Sequence, residues 1–166
     1  MKHMLWWYSP RTSGSLAPLA FFLAFSGYSI AQPMAHAPAL HQPTPRERTV
    51  LAEGFTNERL WVWQKRLNLQ DWNIAVVLAR TGELKPKTLG NIHWDAEKKS
   101  AIIRVLDPAD YRLPFNDMLK DMEFTVVHEL IHLELSSLPR SDASRRDEEH
   151  AVNQIAEALL KLDHSQ

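Results

Sequence analysis

Two histidines with a glutamate beside the first are the residues of this chain best suited to chemistry. The segment His128-Glu129-Leu130-Ile131-His132 contains the pattern HExxH. Residues four apart in a helix lie one above the other, so His128 and His132 can offer two imidazoles to one metal ion. Glu129 then lies beside that ion, where its carboxylate can take a proton from a water molecule. The spacing therefore predicts a metal centre with its own general base.

The composition limits how such a centre can be built. The chain has 166 residues, enough for one domain, and no cysteine. The absence of cysteine excludes disulfides, thiolate nucleophiles and Cys-ligated zinc, so the ligands must be histidines and carboxylates. The formal net charge is −1. Such a near-neutral balance indicates neither nucleic acid nor an anionic membrane as the main partner.

The N-terminal segment has the pattern of a secretory signal. Lys2 and Arg11 give a basic start, Leu16 to Phe25 form an apolar run, and Ser29-Ile30-Ala31 provides small residues before a cleavage point. We predict a signal peptide over residues 1–31 and a periplasmic or secreted protein. The apolar run is short of the roughly 20 residues that span a bilayer. No stable membrane anchor is therefore expected after cleavage.

The next segment, residues 32–45, contains four prolines and no periodicity. This composition predicts an extended linker, followed by a single domain over residues 46–166. An alternative is that translation starts at Met34, which would leave the protein in the cytoplasm.

Helices are expected first in the domain. The sequence Thr44-Pro45-Arg46-Glu47 matches a helix N-cap with proline at the first helical position. We expect this helix to end near Gly54 and a second one to begin at Thr56 or Asn57. The apolar stripe of the second helix consists of Leu60, Trp61, Trp63 and Leu67.

Three strands and two further helices follow. Trp72 to Ala79, Leu89 to Trp94 and Ala101 to Leu106 alternate or are rich in β-branched residues, and Asp95 to Lys99 makes a plausible hairpin turn. These patterns predict a small, three-stranded, mainly antiparallel sheet. The motif helix should run from about 116 to 137 and end before a proline, and the last helix from about 144 to 162. The buried face of the last helix is expected to hold Val152, Ile155, Ala156, Leu159 and Leu160. The expected fold class is α+β, with an antiparallel C-terminal helix.

A catalytic zinc centre needs three protein ligands and one open position. The metzincin pattern places glycine and histidine three and six residues after the second histidine, but this chain has Leu135 and Leu138 there. The third ligand must then come from elsewhere. Glu148, Glu149 and His150 lie near the start of the next helix.

The register of the two helices favours one of these candidates. With the turn centred near Ser141, an antiparallel pair places Glu149 level with His132. Glu148 points about 100° away around the helix. Asn153 lies one turn after Glu149, where its amide could orient a ligating histidine. Glu149 is therefore the predicted third ligand, while replacement by Glu148 or His150 stays open.

This arrangement resembles the gluzincin metallopeptidases, in which HExxH is followed on a later helix by Glu and, four residues further, by Asp or Asn. The segment from 149 to 160 is also similar to the third-ligand helix of compact gluzincins of the ImmA/IrrE type. Glu134 departs from the pattern, since a hydrophobic residue is more usual there. The resemblance covers the last two helices and implies a minimal zincin-like metallopeptidase domain. The residues that carry it are His128, Glu129, His132, Glu149 and Asn153.

The resemblance implies zinc-dependent hydrolysis of a peptide or protein substrate. His128, His132 and Glu149 would hold the Zn²⁺ ion, and Glu129 would act as general base on a zinc-bound water. An extended peptide would add to the edge strand beside the motif helix. Three residues are candidates for stabilising the oxyanion: Tyr111, His93 and His150.

Two other interpretations remain. The first is a catalytically inert, zincin-like metal-binding module that serves as an interaction protein of the cell envelope, which the small size and the lack of a clear oxyanion residue favour. The second is an ordinary amphipathic helix that carries two surface histidines and no metal. The sequence leaves the oligomeric state open.

Overall fold

The computed structural model describes residues 42–139 and 142–165. The predicted signal peptide and most of the predicted linker lie outside the described residues. Helix α1 spans Pro45–Arg66 and begins with a capping box. Thr44 Oγ1 accepts a hydrogen bond from the N–H of Glu47 at 3.3 Å, and Glu47 Oε2 accepts one from the N–H of Thr44 at 2.8 Å.

The prediction of two N-terminal helices is wrong, because α1 runs without a break through Gly54. Thr56 Oγ1 donates to the carbonyl of Ala52 at 2.8 Å, and Asn57 Nδ2 donates to the carbonyl of Glu53 at 2.8 Å. The two side chains expected to cap a new helix thus bond back to the preceding turn. An interior glycine costs a helix about 1 kcal/mol, which burial of the neighbouring apolar face outweighs.

Three strands form one sheet in the order β1-β3-β2. Strand β1 is Asn73–Ala79, β2 is Gly90–Asp95 and β3 is Ser100–Leu106. Strand β2 is antiparallel to β3, whereas β1 is parallel to it. The α+β class is confirmed, but the sheet is mixed and not mainly antiparallel.

The connection after β1 explains the parallel pair. Residues 80–89 separate β1 from β2, which leaves room for β3 between them. Strand β3 takes the central position because its alternating residues Ala101, Ile103 and Val105 are buried under the helices. Periodicity within each strand gives no indication of the strand order, because that order depends on the path of the connections.

Two long helices complete the domain. Helix α2, Phe115–Glu134, packs against α1, the sheet and α3, which spans Asp142–Asp163. A single 3-10 turn, Leu135–Ser137, follows α2. Among the described residues, no helix is both long and apolar enough to cross a bilayer.

Burial fixes how both helices are rotated about their axes. Side chains along α2 are fully buried in the core, among them Met118, Met122, Val126, Val127 and Leu130. On α3, Val152 and Ala156 are fully buried. Ile155, which the sequence predicted to lie in the buried face of α3, is 43% exposed. The buried stripe of α3 is therefore narrower than its apolar pattern suggests.

A buried carboxylate joins the three helices away from the histidines. Glu123 of α2 is 4% exposed and accepts hydrogen bonds from Trp63 Nε1 at 2.9 Å and Arg59 Nε at 2.6 Å. The same guanidinium donates to Asp163 Oδ2 at 2.7 Å, at the end of α3. Arg66 also binds Asp163, at 2.6 Å. These ion pairs hold the C-terminal end of α3 against α1 and α2.

Replacing Arg59 by methionine should leave the buried charge of Glu123 without its arginine partner, with only the exposed His164 remaining, 3.8 Å away. We expect Arg59→Met to lower the free energy of unfolding by about 3 kcal/mol, measured by urea denaturation. Arg66→Met is the matched control: the Arg66 side chain is 43% exposed, and Asp163 keeps Arg59 as its partner. Its loss should stay near or below about 1 kcal/mol. Equal losses in the two variants would contradict this account.

Candidate metal centre

Helices α2 and α3 bring the three predicted ligands together. His128, His132 and Glu149 each offer one ligand atom, and these atoms all lie within 4.8 Å of one another. The two Nε2 atoms are 3.0 Å apart. Glu149 Oε2 lies 3.5 Å from Nε2 of His128, and Oε1 lies 3.4 Å from Nε2 of His132.

The core of the domain sets the direction of the histidines. Val126, Val127 and Leu130 of α2 are fully buried, so the helix cannot rotate without opening the core. His128 and His132 are one turn apart and therefore share the remaining face, with ring centroids 4.7 Å apart.

Both imidazole rings are also held by contacts to their Nδ1 atoms, on the side of the ring away from Nε2. Nδ1 of His128 lies 3.1 Å from Oδ1 of Asn153, and Nδ1 of His132 lies 3.1 Å from Oε1 of Glu148. An amide oxygen and a carboxylate oxygen accept hydrogen bonds but do not donate them, so Nδ1 is the donor in each ring. The neutral tautomer then leaves the lone pair of each Nε2 available to a ligand. A hydrogen-bond acceptor behind a metal-binding histidine commonly fixes the ring in this way.

These atoms fit a cation. Two Nε2 lone pairs and a carboxylate converge with no hydrogen to share between them, and this arrangement is repulsive unless a proton or a metal ion lies among them. Tetrahedral zinc with Zn–N bonds of about 2.0 to 2.1 Å holds two nitrogens about 3.3 Å apart. The two Nε2 atoms are 3.0 Å apart, near that value, and each lies 3.4 or 3.5 Å from a different oxygen of Glu149.

Glu148 has a different position from the one predicted. We expected it to point away from the histidines, yet its carboxylate contacts the far side of the His132 ring. A signal was present in the sequence: Val152 is one turn later on the same face of α3, and Val152 is fully buried. His150, the other alternative third ligand, is exposed and does not line the cleft beside the histidines.

Glu129 is buried beside the three candidate ligands, with 7% of its surface exposed. Burial and the negative charge of Glu149 raise the pKa of Glu129 to about 7, while the positive charge of Lys85 opposes the shift. Burial, together with the neighbouring His132, lowers the pKa of His128.

A cleft of about 600 Å³ gives access to this cluster. Its walls come from α2, α3, β2 and the loop before β2. None of the three residues suggested for the oxyanion lines it. Tyr111 is occupied elsewhere, since its hydroxyl donates to Asp121 Oδ2 at 2.9 Å, and burial raises its pKa. His93 pairs with Ile102 across the sheet, on the face opposite to Gly90 and Ile92.

Strand β2 comes unusually close to the motif helix at Gly90. A Cβ atom there would overlap Cγ2 of Thr125, and it would lie 2.7 Å from the carbonyl oxygen of Arg104 and 3.6 Å from Oε1 of Glu129. Only glycine permits this approach. The sequence analysis missed Gly90, although a glycine at the start of an alternating strand is a known sign of close backbone contact.

Among the described strands β2 pairs with β3 alone, and its other edge faces the cleft. The N–H of Leu106 donates to the carbonyl of Leu89 at 2.8 Å, so 89 and the odd-numbered residues after it bond to β3. The backbone groups of Gly90 and Ile92, both of which line the cleft, therefore point toward the open edge. An edge of this kind can accept one more strand.

In a second cluster, Glu123, Asp163 and His164 also bring possible metal-ligand atoms within 4.8 Å of one another. The guanidinium of Arg59 already bonds to both carboxylates, at 2.6 Å and 2.7 Å. The positive charges of Arg59 and Arg66 balance the two carboxylates, so we assign the cluster to the stability of the fold.

Comparison with known proteins yields no relative: the chain matches no protein-family model, no curated protein and no solved structure. The likeness to gluzincins is therefore a likeness of five residues and their arrangement.

Gly90→Ala should force β2 away from α2. We expect the free energy of unfolding to fall by about 1 to 3 kcal/mol, the usual effect of overpacking a tight contact. Gly82→Ala is the control, because a Cβ at Gly82 meets no atom within 4 Å. Its effect should stay within about 0.5 kcal/mol. Urea denaturation measures both, and a Gly90→Ala protein as stable as Gly82→Ala would disprove the close contact.

Proposed function

We propose that this protein is a zinc-dependent metallopeptidase that hydrolyses peptide bonds in a peptide or protein substrate. The main support is the convergence of His128, His132 and Glu149: the two Nε2 atoms are 3.0 Å apart, and each lies within 3.5 Å of one oxygen of Glu149. Glu129 is buried beside them, and a cleft bordered by a free strand edge leads to them. A solely structural zinc would instead be enclosed by four protein ligands.

Each polar residue has a separate role in this proposal. His128, His132 and Glu149 hold the ion. When bound, zinc acts as a Lewis acid, polarising a carbonyl and making water more acidic. Glu129 accepts the proton of the attacking water and passes it to the leaving amine, so that one side chain is first a base and then an acid. Asn153 keeps the proton of His128 on Nδ1.

The substrate would lie along β2. The backbone groups of Gly90 and Ile92 can pair with an extended peptide and carry its scissile bond past Glu129. Gly90 keeps this strand close to the general base: a Cβ atom at this position would lie 3.6 Å from Oε1 of Glu129. A periplasmic or secreted location is part of the same proposal, although the predicted signal peptide lies outside the described residues.

One observation favours a second candidate, the inert zincin-like interaction module. None of Tyr111, His93 and His150 lines the cleft, so none of the expected side chains is placed to stabilise an oxyanion. In that case the protein would bind zinc and fail to cleave any peptide. A broad peptide library assayed with and without a chelator separates the two functions.

Purified protein should contain about one zinc ion per chain, which elemental analysis measures. We expect His128→Ala to lose the metal. Glu129→Gln should keep it and lose peptide hydrolysis by roughly 10²- to 10⁴-fold, the usual contribution of a general base. His93→Ala is the control for removing a histidine, because His93 is exposed and lies outside the cleft. Unchanged metal content in His128→Ala would refute the proposed centre.

Asn153→Ala should weaken zinc binding by roughly 10- to 100-fold, because His128 would lose the acceptor that fixes its tautomer. Competition with a chromogenic chelator at constant pH measures the affinity. Gln154→Ala is the matched control, since Gln154 is the next residue on α3 and is exposed. Equal zinc affinities in the two variants would show that Asn153 does not orient the ligand.

A further inference from the structure

The loop before β2 presents two lysines to the cleft. Lys85 and Lys87 both line it, together with His128 and Glu129. Lys85 is near enough to Glu129 for its charge to act on that carboxylate. Both lysines are exposed, and neither forms an ion pair with any residue that the structure describes.

A tight turn fixes the position of both lysines. The N–H and Oγ1 of Thr88 donate to the carbonyl of Lys85 at 3.1 and 2.9 Å. Pro86 and Lys87 occupy the two central positions, and Lys87 has φ = 67°. This left-handed conformation usually belongs to glycine or asparagine in such a turn. Leu84, just before the turn, is buried against Ala79 and Leu106 and anchors the loop.

Three of the four carboxylates that line the cleft, in contrast, already have partners; the fourth is Glu129. Glu148 contacts Nδ1 of His132, and Glu149 lies between the two histidines. Asp121 accepts the hydrogen bond of the Tyr111 hydroxyl. A ligand entering the cleft therefore meets Glu129, three engaged carboxylates and Arg145 on the helix side, and two ammonium groups without an ion pair to any described residue on the loop side.

We propose that Lys85 and Lys87 form a subsite that binds a carboxylate of the substrate close to the bond to be cleaved. The proposal rests on the peptidase function proposed above and specifies its substrate class. Gly90 begins β2 only three residues after Lys87, so a peptide paired with the β2 edge passes the loop at one of its ends. The carboxylate is either an acidic side chain or the C-terminus of the peptide.

Binding of uncleaved peptides tests the subsite directly. The full chain carrying Glu129→Gln, loaded with zinc, is titrated by calorimetry with pairs of peptides. One pair differs only by Glu or Gln next to the scissile position, and the other only by a free or amidated C-terminus. We expect the peptide with the extra carboxylate to bind roughly three- to tenfold more tightly, as exposed charge pairs allow. The preference should weaken as salt is raised.

Variants of the loop assign the preference to the lysines. Lys85→Gln with Lys87→Asn removes both charges, and asparagine tolerates the left-handed conformation of the turn. This protein should bind both members of each pair equally, and Lys85→Glu should reverse the preference, toward the member of each pair that lacks the extra carboxylate. Lys120→Gln, on α2 and outside the cleft, is the control and should retain the preference. A preference in the Glu/Gln pair identifies an acidic side chain, and one in the other pair identifies the C-terminus.

Three results would overturn the subsite: equal binding within both pairs, no binding of any peptide, or a preference that survives removal of both charges. A variant that weakens all peptides equally would also overturn it, because the lysines would then act on a group common to every substrate. Zinc content and hydrolysis by the unmodified protein are measured separately. A protein that cleaves peptides without preferring acidic ones keeps the proposed function and loses only the subsite.

Discussion

The rotation of α3 against α2 is the constraint on which the candidate site depends. Val152 and Ala156 are fully buried, so one face of α3 must meet the core. Residues one turn before this face, Glu148 and Glu149, are then directed to the histidines. Because both carboxylate side chains are long, neighbours about 100° apart on the helix reach different sides of the same pair of rings. Glu149 meets the Nε2 atoms, while Glu148 meets Nδ1 of His132.

The parts of the fold that follow from local periodicity could be predicted from the sequence, and the parts that depend on connections could not. The HExxH spacing and the following proline identified α2, the apolar face identified α3, and the repeat of two identified the strands. The parallel pairing of β1 with β3 depends on where residues 80–89 carry the chain, and no local pattern encodes that path. In α1 the local signals misled: Gly54 and Thr56 suggested a break, but burial of Ala52, Thr56 and Leu60 on one continuous face outweighed them.

The residues of the candidate site also fall into those that could be predicted from the sequence and those that could not. His128, Glu129 and His132 are recognisable because their chemistry and spacing occur within one turn of helix, and Glu149 because helix register can be counted. Gly90 and Lys85 belong to other elements, and only the assembled sheet brings them to the cleft. Neither has a motif, since a glycine and a lysine are common in loops and at strand ends. Their positions become informative only when the distance between strand and helix is known.

Helix α3 is held at both ends, and the two attachments differ in kind. The C-terminal end is held by Arg59 and Arg66 through Asp163, within the protein itself. The other end meets α2 through two imidazoles and a carboxylate, whose mutual repulsion only a cation relieves. A metal ion that binds this folded arrangement and not the unfolded chain adds about 2.7 kcal/mol of stability at a free concentration one hundred times its dissociation constant. In the proposed zinc site, the free zinc concentration would thus set part of the stability of the fold.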